Sequence, residues 1–239
     1  LDMSILNTND IAARLLFHEY PLDFRPLKKQ DQVHLIVAGF GGMGESVVLQ
    51  AARIGHFADH RRVRITVLDR QSNAKGRLFL DRYPNFGETA EIDFVETDFE
   101  SADFRDAIAR AAAENDTLLS AAICVNDDTA ALGYALAIYP LVETRDIPIH
   151  VRLDTAKGLA WLLQDGPGAT EIAQQVHPFG QLNRTCSPSV IEQGDLDRLA
   201  RRIHRHHATS RLAQEHSPDD PSLKPWDDLD PSLRDSNRH

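Results

Sequence analysis

Cysteine is nearly absent from this chain: Cys124 and Cys186 are the only two among 239 residues. One lies in an apolar run and the other in a turn-rich stretch, so they make no disulfide framework and fit a reducing cytosol. Long apolar runs are missing as well. None approaches the roughly 20 residues that cross a bilayer as a helix, and no signal peptide opens the chain, so a soluble, cytoplasmic protein is expected. Basic charge is scarce: 26 Lys and Arg face 36 Asp and Glu, a formal net charge of -10. Nucleic-acid binders depend on clustered Lys and Arg, so that class is excluded. An anionic small ligand is not, because it can bind locally at a helix N-terminus. There is neither a G-x-S-x-G serine elbow nor a P-loop lysine.

The hydrophobic residues, 42% of the chain, suffice for one full α/β core and a small appendage. The chain begins at Leu1 rather than Met and ends on a polar, arginine-containing segment. That fits a piece of a longer protein whose remainder holds a membrane segment. Residues 1–30 include "NDIAARLLFHEYPLDF", with Ile11, Leu15, Leu16 and Tyr20 at helical spacing behind Asn9 and Asp10 as caps. This is either a helix covering the edge of the core or a linker from an upstream domain.

From Val33 onward, β-branched runs alternate with helical segments. The strands are "VHLIVAG", "VRITVLD", "IDFVETD", "TLLSAAICVN", "IPIHVRL" and "EIAQQVHPFG"; the helices include "FRDAIARAAAEN", "TAALGYALAIYPLVE" and "TAKGLAWLLQ". Apolar strands alternating with helices indicate a parallel sheet covered on both faces. The expected fold is α/β, a doubly wound six-stranded Rossmann sheet of order 3-2-1-4-5-6 over residues 31–180. After it, residues 181–239 hold an amphipathic helix, "DLDRLARRIHRHH", and a Pro-, Asp- and Ser-rich stretch that reads as a loop or the start of a second module.

Gly39, Gly41 and Gly44 spell G-x-G-x-x-G directly after the first strand and into the start of a helix. Gly39 permits the tight turn, Gly41 lets a pyrophosphate approach the backbone, and Gly44 lets helix and strand pack closely. Gly42 and Met43 complete the helix N-terminus, whose free N–H groups and positive dipole end attract phosphate. The second strand ends in Asp69, at the spacing of an acid that accepts hydrogen bonds from an adenosine ribose. Arg70 beside it can stack on adenine or meet a 2′-phosphate, but the Asp69 charge repels such a phosphate, which favours NAD over NADP. The alternative is an empty turn kept for packing. Asp98, after the third strand, lies at the adenine edge or else caps the next helix. Asn126, Asp127 and Asp128 follow the fourth strand at the topological switch point, as ligand contacts or as a helix cap. Arg152, ending the fifth strand, either reaches that crevice or belongs to a salt bridge.

Hydride transfer needs a proton donor near the nicotinamide. His177, read at the end of the sixth strand, is the best candidate, although a histidine before proline there also reads as a turn-fixing residue. His204, His206 and His207 invite a metal reading, but without a carboxylate or cysteine at suitable spacing they form a solvated helix face. No catalytic residue and no metal site are therefore assigned.

The run "HLIVAGFGGMGESVVLQAARIGHF", with "RITVLD", the "TD" at Asp98 and "ICVNDD", resembles the TrkA-N or RCK domain, the regulator of potassium conductance, over about Val33 to Phe179. The tail "DPSLKPWDDLDPSLRDSNR", with Pro225–Trp226 and Asn237–Arg238, looks like the first part of a RyR domain, the ryanodine receptor repeat. The resemblance implies a cytoplasmic sensing domain that forms a homodimer or larger ring and conveys nucleotide binding to a membrane pore domain. By residue it carries over Gly39, Gly41, Gly44, Asp69 and Asp98, together with Asn126 and Asp127, as contacts to NAD or another adenine nucleotide, a ligand rather than a redox cofactor. A small NAD(P)-dependent oxidoreductase is the alternative, and a pure assembly module the third reading.

Overall fold

Six short runs, most deeply buried in the two central strands, form one all-parallel sheet. The computed structural model describes residues 7–28, 31–55, 61–154, 172, 174–187, 201, 204–205, 208–209, 220–230 and 233. The strands are β1 (Gln32–Ala38), β2 (Val63–Asp69), β3 (Ala90–Glu96), β4 (Thr117–Ile123), β5 (Ile149–Arg152) and β6 (Val176–Phe179). Their order is β3-β2-β1-β4-β5-β6, and every pairing is parallel. This is the doubly wound sheet expected from the sequence. The central strand β4 is buried throughout, whereas β3 at the edge carries Glu91, Asp93 and Glu96 among its apolar residues. Charge on an edge strand discourages pairing with another chain.

The helices are α1 (Thr8–Glu19), α2 (Gly42–Ile54), α3 (Ser72–Arg82), α4 (Phe86–Thr89), α5 (Ala102–Ala113), α6 (Asp128–Val142) and α7 (Leu182–Thr185). Alternate residues of β1 feed opposite layers, as the period of two in a strand requires. Val33, Leu35 and Val37 join a core with α1, α2, α3 and α4, while Ile36 and Ala38 join one with α5 and α6. The expected helix "TAKGLAWLLQ" lies outside the described residues, as does most of "DLDRLARRIHRHH". Among the described residues, no helix is long and apolar enough to cross a membrane.

Helix α1 covers the core, burying Ile11, Ala12, Ala13, Leu16 and Phe17. Its cap differs from the expected pair: Asn7 takes that position, its side chain accepting from the Asn9 N–H, and Asn9 and Asp10 lie in the first turn. Helix α6 has no charged residue between Asp128 and Glu143. It leaves Leu136 and Leu141 partly exposed, at 41% and 36%.

The chain divides into two compact units, Leu1–Thr185 and Cys186–His239. In the second, Trp226 and Leu229 are buried together, with Leu233 against them, and the Arg201 guanidinium lies over the Trp226 ring.

Candidate functional site

Strand register sets the site. Ala38 is level with Leu68 on one side and Ile123 on the other, so the loops after β1, β2 and β4 leave the sheet together at its carboxyl edge. Strand order reverses between β1 and β4, the switch point at which open α/β sheets form a crevice for ligands.

Three glycines shape the turn there. Gly39 has φ +97, a conformation L side chains rarely adopt, and its N–H donates to the Leu68 carbonyl at 2.8 Å. A Cβ on Gly44 would lie 2.0 Å from the Gly39 carbonyl oxygen, so the first helical turn folds onto the glycine loop only without one. Gly41 is the opposite case. Nothing lies within 4 Å of the position its Cβ would occupy, leaving open space above the helix end.

Gly41 is also the N-cap of α2 and supplies no side-chain acceptor. Helices α1, α5 and α6, by contrast, are capped by Asn7, Ser101 and Asp127. Within α2 the Glu45 N–H bonds the Gly41 carbonyl. The N–H groups of Gly42, Met43 and Gly44 have no acceptor among the described residues. These are the orphan donors of a helix start, and an anion satisfies them together with the dipole. Met43 offers only its backbone, because its side chain is buried in the core.

Asp69 closes the turn from the side. Its Oδ2 accepts from the Phe40 N–H at 2.8 Å and its Oδ1 from the Gln71 N–H at 2.8 Å. The Lys75 ammonium donates to both oxygens, at 2.8 and 2.9 Å. Burial alone would raise this carboxyl, but the Lys75 hydrogen bonds, the two backbone N–H groups and the lysine's charge outweigh it and hold Asp69 below the usual carboxylate range. Asp69, expected to accept from a ribose, is thus ionised and has both oxygens engaged by Phe40, Gln71 and Lys75.

Arg70 and Asp98 form a second, exposed pair (Nε–Oδ2 3.0 Å). Asp98 also accepts from the Glu100 N–H at 3.0 Å, and that bond, with Arg70, lowers its carboxyl. The cap of α5 is Ser101, not Asp98. Across the switch point, Asp127 caps α6 by accepting from the Ala130 N–H at 2.7 Å. The Arg152 guanidinium binds the Asn126 side-chain oxygen at 3.0 Å and Asp154 at 2.6 Å, and Asp128 accepts from the Asp154 N–H. Arg152 therefore ties the ends of β4 and β5 together.

The structure collects Gly39 to Gly44, Asp69, Arg70 and Asp98 at the ends of β1, β2 and β3, and Asn126, Asp127 and Arg152 at the ends of β4 and β5. His177 is not among them. It is the second residue of β6, stacked on Tyr20 at 4.4 Å and lining a cavity with residues that precede β5 and β6, at the amino edge opposite the crevice. The His204 Nε2–H donates to the Lys224 carbonyl at 2.8 Å, and His206 and His207 lie outside the described residues. Cys124, beneath the glycine turn, is wholly buried, which pushes its thiol up to about 12.

Sequence reasoning missed Lys75, Phe40 and the start of α1. The Asp10 carboxylate accepts from the Ser46 hydroxyl of α2 at 2.6 Å, and the Asn9 amide lies against Gly42. Lys75 had a local signal, six residues beyond Asp69 on the next helix; the α1 contacts span the chain and had none. A scan against protein-family models finds no match to this chain, and a search of curated proteins finds none.

Proposed function

We propose that this chain is a nucleotide-sensing regulatory module, the cytoplasmic part of a potassium channel or uptake system, working through a ligand-dependent rearrangement of a dimer. One observation carries the ligand class. The N-terminus of α2 lacks a side-chain acceptor, opens onto free space at Gly41, and stands beside the ionised Asp69. Phosphates satisfy the helix N–H groups, and a ribose diol donates to Asp69, displacing Lys75 from one of its oxygens. An adenine nucleotide with free ribose hydroxyls fits this arrangement better than one with a 2′-phosphate, which would meet the Asp69 charge.

The regulatory reading rests on the resemblance to RCK domains, with two features in its support. The first turn of α1 touches the phosphate turn of α2 through Asp10 and Asn9, which gives a bound nucleotide a mechanical neighbour outside the sheet. The apolar face of α6, with Leu136 and Leu141, suits self-association. A nucleotide shifts a dimer equilibrium only by its differential affinity for the two states. The test is calorimetry with ATP, NAD+ and NADP+, and X-ray scattering with and without ligand. Binding of ATP or NAD+, weaker NADP+ and an altered dimer envelope are expected, with NADH absorbance flat across aldehydes, ketones and quinones. Steady substrate-dependent NADH oxidation would overturn the sensor in favour of an oxidoreductase.

A further inference from the structure

At the amino edge of the sheet, opposite the glycine turn, the end of α1 covers a cavity of about 580 Å³. Its inner wall is unusual for a parallel sheet, whose covered faces are normally filled by aliphatic side chains. His150 of β5 and His177 of β6 lie side by side in register, and the Tyr20 ring lies against both, 4.4 Å from His177 and 5.1 Å from His150. His150 is 2% exposed, and its Nδ1 has no hydrogen-bond partner. Gln175 is 7% exposed; its amide nitrogen donates to the Glu143 carbonyl at 3.1 Å, while its Oε1 is without a partner. Buried polar atoms are paired in the great majority of cases, because an unmet one loses its bonds to water with nothing in return. Both orphans belong to residues lining one cavity.

The remaining chemistry of the wall is acceptor-rich and negative. Asp23 and Asp146 line the cavity and have no ion pair among the described residues, whereas Glu19 is neutralised by Arg184. Gln175 Oε1 can only accept. Burial first, and the neighbouring His177 second, keep the His150 imidazole neutral, with its pKa lowered to about 3. Burial likewise lowers His177, so neither ring places a competing positive charge in the wall. Flat faces are supplied by Tyr20 and the imidazoles, and the volume lies within the range of small-molecule pockets.

We propose that this cavity is a second ligand site, for a small planar cation that presents several N–H donors, an amidinium or guanidinium compound. The cation sits between the Asp23 and Asp146 carboxylates, its plane against the Tyr20 and imidazole rings and its N–H groups toward Gln175 Oε1 and His150 Nδ1. Tyr20 turns aside to admit it.

Benzamidine is the probe, with benzamide as its neutral isostere and benzoate as its anionic counterpart. Each is titrated into the full chain without nucleotide, so the outcome does not depend on the nucleotide reading, and binding is followed by calorimetry and by the imidazole NMR resonances. Saturable benzamidine binding that shifts the His150 and His177 resonances is expected, with benzamide at least tenfold weaker and benzoate silent. The double variant Asp23→Asn/Asp146→Asn, both positions being exposed, is expected to fold normally and bind benzamidine at least tenfold more weakly. Lack of saturable binding at millimolar benzamidine, equal affinity for benzamide, unmoved imidazole resonances, or full affinity in the double variant would each overturn the site.

Discussion

Asp69 serves two purposes at once. It holds the Phe40 N–H and so fixes the glycine turn, and it presents an ionised carboxylate beside the proposed phosphate site. Asp69→Asn keeps an acceptor for Phe40 but loses the charge, and is expected to weaken ATP or NAD+ binding by about 1–3 kcal/mol, measured by calorimetry on a chain whose circular dichroism is unchanged. The glycines separate packing from binding in the same way. Gly41→Val points into open space, so the variant is expected to fold with wild-type stability and lose nucleotide binding. Gly44→Ala sets a methyl 2.0 Å from the Gly39 carbonyl and is expected to cost about 1–3 kcal/mol of stability. Denaturant melts of the two variants distinguish the cases; a destabilised Gly41→Val or a stable Gly44→Ala contradicts the assignment.

Between elements, the junction of α1 with α2 joins a covering helix to the glycine turn. Asp10 bonds Ser46 in the first turns of α2, where its negative charge favours the helix dipole but opposes an incoming phosphate. Asp10→Asn retains an oxygen acceptor for Ser46 and removes the charge. It is expected to tighten nucleotide binding by about 0.3–1 kcal/mol, more at low salt, where screening is weaker. Weaker binding in that variant, at either ionic strength, would show that the Asp10 charge assists the site instead. Helix α1 also runs from this junction to its C-cap Tyr20, which lines the cavity beside His150 and His177, so one helix touches both the glycine turn and the cavity.

On the scale of the whole molecule, stability carries a pH signature. His34 and His150 are buried neutral: His34 is lowered to about 4, by burial first and the Arg64 charge second, and His150 to about 3. Their folded values lie below the ordinary histidine value near 6.5, so the unfolded chain binds more protons in between. The stability they contribute is complete above pH 6.5 and falls as pH drops through the window toward 3–4, approaching about 1.4 kcal/mol per pH unit for each histidine. Thermal melts from pH 7 to 5 are expected to show a falling Tm, with a shallower slope in His150→Phe; an unchanged slope would remove His150 from the account. Self-association has its own test. Leu136→Glu puts a charge on the apolar outer face of α6 and is expected to convert a dimer to a monomer in light scattering while leaving nucleotide binding intact.

The sequence by itself determined the sheet, its order and the glycine turn, because each is written in local pattern. Continuous apolar runs mark strands buried on both faces, and G-x-G-x-x-G followed by Asp69 marks a turn whose geometry depends on few residues. Tertiary structure decided what the side chains do once the chain is folded. The reading of Asp98 and Asp127 as ligand contacts or caps stayed open in the sequence because both roles use the same carboxylate; the folded chain gives the α5 cap to Ser101 and uses Asp127 to cap α6. Arg152 became a tie between strand ends through Asn126 and Asp154, partners set by strand register. His177 moved from the crevice to the opposite edge because β6 begins at Val176, and a strand's ends are poorly marked by composition. The packing of the Tyr20 ring against His150 and His177 joins three segments that only strand pairing and helix docking bring together, and so no local pattern announces the cavity they line.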